Sequence, residues 1–348
     1  MERLIVKNFG PLIDASIELK DINIYIGTTS SGKSTIAKLV SIFKSTSLRH
    51  TKERMDYFKK SLVNFNIDFD VSDDTFIRYE WNDSFYEIKD LSFNTNISAE
   101  LVGSTSKYQG YLNPIYIPAE RVFFSTLSQS VFGLINSDIA LPKWLIDFGA
   151  KFESARSSIK QFPISFLNAK YEWKDGNDYI ELENKTRIKL SQASSGIQSL
   201  VPLLLVVEHN TENGKIEDDL FVVEEPEFNL YPSSQKDLIE FIIERTNKSK
   251  DKLIITTHSP YLLTSIDNLI QAGNVIASNA SLKEHVEELA PSSLWIKYSD
   301  VACYYFNEGR AKSTLDPEIQ SIGPSNIDDV SIELSETFEN LLTLKCSG

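Results

Sequence analysis

The sequence predicts an α/β fold with a mostly parallel core sheet, an antiparallel β layer and an inserted helical lobe. A strand, a glycine-rich loop and an apolar helix follow one another over Ile22–Phe43. Strands and helices alternate over Leu220–Ile270, which is typical of a parallel sheet with right-handed crossovers. Alternating polar and apolar residues over Phe76–Leu101 indicate antiparallel strands.

The first third of the chain is predicted to be mostly β-structure around one helix. The predicted strands are Leu4–Val6, Ala15–Leu19, Ile22–Ile26, Phe76–Trp81, Ser84–Ile88 and Asn96–Leu101. Asn82 and Asp83 form a predicted tight turn, and the apolar pattern of Ile36–Phe43 predicts the helix.

The rest of the chain combines a buried strand, a helical lobe and a βαβα unit. Pro114–Pro118 is predicted to be the strand, Val122–Phe162 the lobe, and Asp175–Asn177 a hairpin turn between Ala169–Trp173 and Tyr179–Leu182. The remaining predicted elements are strands Leu220–Val223, Leu253–Thr257, Ser293–Tyr298 and Ala302–Phe306, and helices Ser233–Arg245, Tyr261–Ile270 and Ile332–Leu344. We therefore predict a nucleotide-binding lobe in two parts, 1–120 and 214–348, around a helical lobe, 121–213.

Composition indicates a soluble, cytoplasmic protein. Of its 348 residues 41% are hydrophobic, which suffices for a packed core, and the longest purely apolar run, Leu203–Val207, is too short to span a bilayer. Cys303 and Cys346 lie far apart in sequence and have no metal-ligand spacing, which favours a reducing compartment.

The charge pattern leaves nucleic-acid binding open. The formal net charge of −14 opposes nonspecific attraction to DNA, but Lys44–Lys60 contains six lysines and arginines against two acids. A solvated helix face is the favoured interpretation of that basic segment, and a phosphate contact is the alternative. Ser313–Leu344 has seven acids and no lysine or arginine, so it is either a solvated end piece or a docking surface for a basic partner.

The central motif is GTTSSGKST, Gly27–Thr35, a full match to the phosphate-binding P-loop pattern. Its glycines allow backbone N–H groups to converge on phosphates at a helix N-terminus. Lys33 is expected to reach the outer phosphates, and the Ser34 hydroxyl to bind Mg²⁺. The predicted nucleotide-binding residues of the loop are Gly27, Thr28, Ser30, Ser31, Gly32, Lys33, Ser34 and Thr35. An accidental match is the alternative, but the strand before the loop and the helix after it disfavour this alternative.

Two further motifs follow apolar strands, and a third opens a helix. Glu224 and Glu225 come at the end of Leu220–Val223, where open α/β sheets bind ligands, and we assign Glu224 to the metal and Glu225 to the hydrolytic base. His258 follows the next strand and is expected to donate to the terminal phosphate. Ser194 and Gly196 open a helix whose N–H groups can bind an anion. Solvated acids and a structural histidine are the alternatives.

Together these motifs resemble the ABC-type ATPases, within them the soluble branch of SMC, RecF and OLD-family proteins. The similar segments are GTTSSGKST, SQASSGIQS (191–199), LFVVEEPEFNLYP (220–232) and IITTHSPYLL (254–263). The resemblance implies a P-loop NTPase fold of ABC type, with Glu225 as base and His258 as switch histidine. It also implies that two chains pair through composite ATP sites, in which Ser194 of one caps the γ-phosphate held by the other.

The sequence departs from the ABC pattern at several positions. Glu224 replaces the expected Walker B aspartate, and the signature has Ala193, Ser195 and Ile197 where Leu, Gly and an acidic or amide residue are usual. No glutamine stands at the Q-loop, for which Glu120-Arg121 is the best candidate.

The first functional hypothesis is an ATPase that dimerises on ATP and controls a separate effector, such as a nuclease or toxin in anti-phage defence. A RecF-like DNA-binding ATPase and a slowly hydrolysing nucleotide-gated scaffold are the alternatives. A transporter subunit is disfavoured by the altered signature and the Glu-Glu-Pro-Glu sequence, and no membrane partner is expected.

Overall fold

The computed structural model describes residues 2–97, 113–127, 141–211, 219–323 and 326–347. Its strands are β1 (Glu2–Phe9), β2 (Leu12–Glu18), β3 (Ile22–Gly27), β4 (Phe76–Trp81), β5 (Ser84–Lys89), β6 (Ser92–Thr95), β7 (Asn113–Ile117), β8 (Gln161–Ile164), β9 (Ala169–Lys174), β10 (Asn177–Glu181), β11 (Arg187–Lys189), β12 (Asp219–Glu224), β13 (Lys252–Thr257), β14 (Val301–Asn307), β15 (Arg310–Ser313), β16 (Leu315–Asp316) and β17 (Ser321–Ile322).

The α-helices of the described residues lie between and after these strands. They are Lys33–Lys44, Thr46–His50, Arg54–Asn64, Phe123–Leu127, Lys143–Ser158, Ser195–Thr211, Pro232–Ser249, Pro260–Ser278, Lys283–Leu289 and Asn326–Ser347. Within the described ranges, none of the helices is long and apolar enough to cross a membrane.

The main sheet has eleven strands in the order β6-β5-β4-β1-β2-β15-β14-β3-β13-β12-β7. Its core, β14-β3-β13-β12-β7, is parallel throughout. β3 and β12 are buried at every residue, because helices cover both faces of the core. Along β12, Phe221 and Val223 face one hydrophobic core, whereas Leu220 and Val222 face the other.

The predicted antiparallel strands are present and extend the same sheet beyond the parallel core. β1 pairs with both β2 and β4, and the meander continues through β5 to β6. The prediction of a strand at Asn96–Leu101 is wrong at Asn96 and Ile97, which follow β6, and the rest of that range lies outside the described residues. The turn before β6 places Asp90 and Leu91 at φ 50° and 55°, and a leucine gives no sequence signal for such a turn.

A second, four-stranded antiparallel sheet has the order β11-β10-β9-β8. Asp175 and Gly176 connect β9 to β10 with φ of 51° and 75°, so the predicted hairpin turn is confirmed as one with two left-handed residues. The predicted helical lobe contains Phe123–Leu127 and Lys143–Ser158 but ends before Phe162, which lies in β8. The division into lobes stays a prediction.

The end of the chain differs from one sequence prediction. The predicted strand Ser293–Tyr298 is wrong, although Leu294 and Ile296 are buried. Instead of a strand, this segment has 3₁₀ turns at Ser292–Leu294 and Tyr298–Asp300. The predicted last helix is confirmed and extends over Asn326–Ser347. The α/β fold class, with a parallel core and antiparallel strands, is confirmed.

Candidate nucleotide-binding site

The loop between β3 and the helix Lys33–Lys44 requires glycine at two positions, because each has a positive φ and no space for a Cβ. Gly27 has φ 146°, and a Cβ there would lie 1.9 Å from the Phe306 carbonyl oxygen. Gly32 precedes the helix with φ 103°, and its Cβ would lie 2.4 Å from Leu12 Cδ2. The first glycine therefore permits close packing on β14, and the second permits the turn into the helix.

The other predicted loop residues fall into an exposed and a buried set. Thr28 and Ser30 are exposed, and Ser30 has φ 60°. Ser31 is buried and donates to the Thr28 carbonyl at 2.7 Å. Ser34 is half-buried and Thr35 buried in the first turn of the helix. The loop thus has an open tip over a fixed base.

The Lys33 ammonium group lies against its own loop. It donates to the carbonyls of Gly27 at 3.0 Å and Thr28 at 2.7 Å, and the residue is only 6% exposed. Burial lowers its pKa to about 8, although the charges of Glu225 and Glu227 oppose this shift. A buried ammonium group near two carboxylates therefore lies under the open loop.

The carboxylates after β12 have different environments. Glu224 is 5% exposed, and its Oε1 makes no hydrogen bond within the described residues. Glu225 is half-exposed, has φ 41°, and donates its amide to the Thr256 carbonyl at 2.9 Å. A left-handed glutamate outside a glycine turn is uncommon, and such strain is concentrated at functional sites.

The predicted histidine lies beside the predicted base. His258 follows β13, which pairs in parallel with both β3 and β12. Its Nε2 lies 3.7 Å from Glu225 Oε1, and both side chains are partly exposed. Adjacent parallel strands thus end in the P-loop, Glu225 and His258 at the same edge of the sheet.

Sequence reasoning missed Glu227, which fixes the segment after β13. Its Oε1 accepts hydrogen bonds from the Thr257 hydroxyl and the His258 amide, each at 2.7 Å. Ser259 then donates to Gln235 at 2.6 Å and caps the helix Pro260–Ser278. The third acid of Glu-Glu-Pro-Glu was the available signal, but its partners are about thirty residues away in the chain.

The signature residues lie at the start of the helix Ser195–Thr211. Ser194 is exposed, and its hydroxyl has a long contact of 3.5 Å with the Ile197 amide. Gly196 is buried, and a Cβ there would lie 2.6 Å from the Asn229 carbonyl oxygen. Gly196 therefore allows this helix to pack on the segment that follows the glutamates, while Ser194 faces outward.

Three of the six lysines and arginines of the basic segment are buried or bonded within the chain. Lys44 is buried and pairs with Glu2, and Arg49 is also buried. Arg54 donates to the Ile97 carbonyl at 2.9 Å. The three exposed members are Lys52, Lys59 and Lys60. Half of the six cations thus lie inside the chain or bond to it, which argues against an extended phosphate-binding stripe.

The predicted magnesium ligands fit a hard cation. Mg²⁺ usually takes one or two protein oxygens and completes its shell with water and phosphate oxygens. Glu224 Oε1 is a buried carboxylate oxygen with no hydrogen bond among the described residues, and burial together with the Glu224 charge raises the pKa of the Tyr116 hydroxyl. Ser34 offers a hydroxyl in the first turn of the helix Lys33–Lys44. The described residues contain no group of three or more His, Cys, Asp or Glu that could form an all-protein metal site.

A family model matches the part of the chain that contains this site. The model described as AAA ATPase domain matches residues 1–138 and 134–263, which contain the P-loop, the glutamates and His258. The chain belongs to the AAA ATPase domain family. The match confirms the predicted P-loop ATPase family and its α/β fold. A search of curated proteins found no match to this family member.

Several solved structures are similar to this AAA ATPase chain. The SMC head domain from Thermotoga maritima has 13% identity and a TM-score of 0.40, covering 76% of this chain and 90% of its own. An ATP-binding cassette of an ABC transporter has 16% identity and a TM-score of 0.39, with 92% and 93% covered. The recombination mediator protein RecF has 12% identity and a TM-score of 0.39, with 89% and 97% covered.

Proposed function

We propose that this chain binds ATP with Mg²⁺ and hydrolyses it, with Glu225 as general base. The observation that carries the proposal is the convergence of three neighbouring strand ends on one site. They bring together the Lys33 ammonium group, the carboxylate pair Glu224 and Glu225, and the His258 imidazole, 3.7 Å from Glu225. Phosphoryl transfer to water requires such a site, because its catalysis depends on positioning and electrostatic stabilisation.

Lys33 is suited to hold the β- and γ-phosphates. Its ammonium group is now bound by two neutral carbonyl oxygens, at 3.0 and 2.7 Å. Phosphate oxygens carry full negative charge and therefore form stronger hydrogen bonds with an ammonium group than carbonyls do. The N–H groups of the open loop and the N-terminus of the helix Lys33–Lys44 add favourable partial charges.

Glu225 and His258 are suited to act on the attacking water. Glu225 is half-exposed, so its carboxylate can reach water, and its backbone is held by the Thr256 carbonyl. Glu225 would accept the proton of that water. His258, whose amide is fixed by Glu227, would donate to the terminal phosphate. Bound Mg²⁺, held by Ser34 and Glu224, would neutralise charge on the phosphates.

The proposed active form is a homodimer or higher oligomer with composite ATP sites. Ser194 faces outward at the start of the helix Ser195–Thr211 and is free to contact a phosphate held by a second copy. Phe228 and Tyr231, just after the glutamates, are exposed aromatics that would be covered in such a pair. ATP would then stabilise the dimer.

We further propose that the dimer controls a separate effector protein, a nuclease or toxin in anti-phage defence. A protein partner is supported by an apolar stripe on the helix Asn326–Ser347, where Leu334, Phe338 and Leu341 are each at least 60% exposed. Affinity capture with and without a non-hydrolysable ATP analogue tests this idea. ATP-dependent duplex binding at low salt, with no captured protein, would instead support the RecF-like alternative.

Two variants test ATP binding and hydrolysis. Lys33→Ala should abolish ATP binding, measured by equilibrium dialysis. Glu225→Gln should keep ATP binding, lower kcat by about 10²-fold or more as expected for a lost general base, and accumulate an ATP-bound dimer in size-exclusion chromatography. Glu240→Gln, on the helix Pro232–Ser249, is the control and should behave as the parent.

Hydrolysis by Glu225→Gln at the parent rate would refute the base assignment. Slow turnover by the parent, with Glu225→Gln no slower, would favour the nucleotide-gated scaffold.

A further inference from the structure

Arg121 is a buried cation with no carboxylate contact among the residues that the structure describes. It lies in the short 3₁₀ turn after β7, and its side chain is fully buried. Burial of a charge is costly unless hydrogen bonds compensate it. Burial lowers the pKa of Arg121 to about 10, with the nearby glutamates opposing the shift, so the guanidinium remains charged at neutral pH.

All five N–H donors of the guanidinium are used, and each acceptor is a backbone carbonyl. The acceptors are Ser199 (3.1 Å), Pro118 (3.0 Å), Glu224 (2.8 Å), Glu225 (2.8 Å) and Pro226 (3.1 Å). Three of these carbonyls belong to consecutive residues of the glutamate segment. The Pro118 carbonyl directly follows β7, and the Ser199 carbonyl lies in the helix Ser195–Thr211.

These contacts hold an uncommon backbone conformation. Glu225 has φ 41°, which costs free energy for a residue other than glycine and persists where neighbours fix it. The Arg121 fork binds the carbonyls on both sides of that position and that of Glu225 itself. A planar guanidinium with five fixed N–H donors can bind all of these carbonyls at once, whereas a lysine ammonium group has three donors and no fixed plane.

We propose that Arg121 is a positioning residue that fixes the Glu225 backbone for hydrolysis and couples it to the helix Ser195–Thr211. A displacement of that helix moves the Ser199 carbonyl and is carried by one rigid guanidinium to Glu225. This inference rests on the proposed ATPase function. It adds a physical connection, the Arg121 side chain, through which the helix Ser195–Thr211 and Glu225 would move together.

The first test separates positioning from folding. Arg121→Lys keeps the charge but loses the fork, and we expect kcat to fall about 10²-fold, as for a misplacement of about 1 Å. ATP affinity should stay within about threefold, because the P-loop is unchanged. Arg156→Lys is the matched control. Arg156 is a mostly buried arginine of the helix Lys143–Ser158, and it pairs with Asp178 of β10 in the four-stranded sheet. It should lower the melting temperature and leave kcat unchanged.

A background variant shows whether Arg121 acts through Glu225. In Glu225→Gln, adding Arg121→Lys should cause no further loss of kcat, since both changes remove the same function. Losses that multiply would overturn the proposal, as would a joint loss of ATP affinity and kcat in Arg121→Lys. If the parent chain hydrolyses ATP and Glu225→Gln is impaired but Arg121→Lys is not, the inference fails while the proposed function stands.

Hydrogen exchange tests the coupling itself. In the parent, ATP should slow amide exchange together in peptides covering 195–205 and 224–231. In Arg121→Lys, ATP should still protect the P-loop, but the two peptides should no longer respond together. A joint response in Arg121→Lys, or the absence of any response in the parent, would overturn the proposed coupling.

Discussion

The two halves of the candidate site differ in how many contacts their functional residues make within the chain. The strand-end half consists of the P-loop, Glu224–Glu227 and Thr257–Ser259, and hydrogen bonds within the chain hold the Lys33 ammonium group, the Glu225 backbone and the His258 backbone. In the signature segment, 191–196, the Gln198 side chain donates to the Ser191 and Ala193 carbonyls, but the Ser194 hydroxyl faces outward with one long contact of 3.5 Å. The strand-end half is thus preorganised within one chain. The Ser194 hydroxyl is exposed and can contact a phosphate held by a second copy, in agreement with the proposed composite site.

The largest expected effect on stability comes from Gly27, the first glycine of the P-loop. Gly27→Ala places a Cβ 1.9 Å from the Phe306 carbonyl oxygen at φ 146°, so the backbone itself must shift. We expect a loss of about 3–5 kcal/mol in the free energy of unfolding, measured by urea denaturation, from combined strain and overpacking. Gly176→Ala is the control: its φ is 75°, but no atom lies within 4 Å of the new Cβ. It should cost about 1 kcal/mol. Equal losses would contradict the close packing of the P-loop on β14.

The site also indicates which features a sequence can predict. The P-loop, the strand before Glu224 and the strand before His258 are local patterns, and each prediction agrees with the structure to within about one residue at its strand end. Arg121 and Glu227 act through long-range contacts, over separations of up to 105 residues for Arg121. Only the fold brings these partners together, so the sequence could mark Arg121 as a position of interest but not assign its carbonyl partners.

The segment Ser293–Tyr298 shows that alternating burial does not by itself define a strand. Leu294 and Ile296 are buried while Ser293 and Lys297 are exposed, as in a strand. Trp295 instead donates its indole N–H to the Ala290 carbonyl at 2.8 Å, and the Ile296 amide donates to Leu269 of a helix. Backbone pairing, which defines a strand, is set by neighbours that the local pattern does not contain.

An intermediate effect is expected within the strand-end half. Glu227→Ala leaves the Thr257 hydroxyl and the His258 amide without their acceptor. Because hydrogen bonds to a charged group are stronger than average, we expect a loss of about 2 kcal/mol in the free energy of unfolding and a clear fall in kcat as His258 loses its position. Glu240→Ala removes an ion pair with Lys236 at 3.0 Å and should cost less than about 0.5 kcal/mol. If both variants unfold alike, Glu227 does not organise the site.

The smallest effect on stability should come from the signature segment. A change there should weaken the ATP-dependent dimer while leaving the stability of the single chain nearly unchanged. Ser194→Ala removes a hydroxyl whose contact with the Ile197 amide is 3.5 Å, so the chain alone should lose less than about 1 kcal/mol, the low end for a helix cap. If Ser194 contacts phosphate held by a second copy, the ATP-dependent dimer should weaken about fivefold, equivalent to one hydrogen bond of about 1 kcal/mol. Sedimentation of the Glu225→Gln background with ATP measures this. Ser195→Ala, the exposed neighbour, is the control. An unchanged dimer in Ser194→Ala would mean that the outward-facing serine has no role in assembly, and the difference between the two halves would then reflect solvation alone.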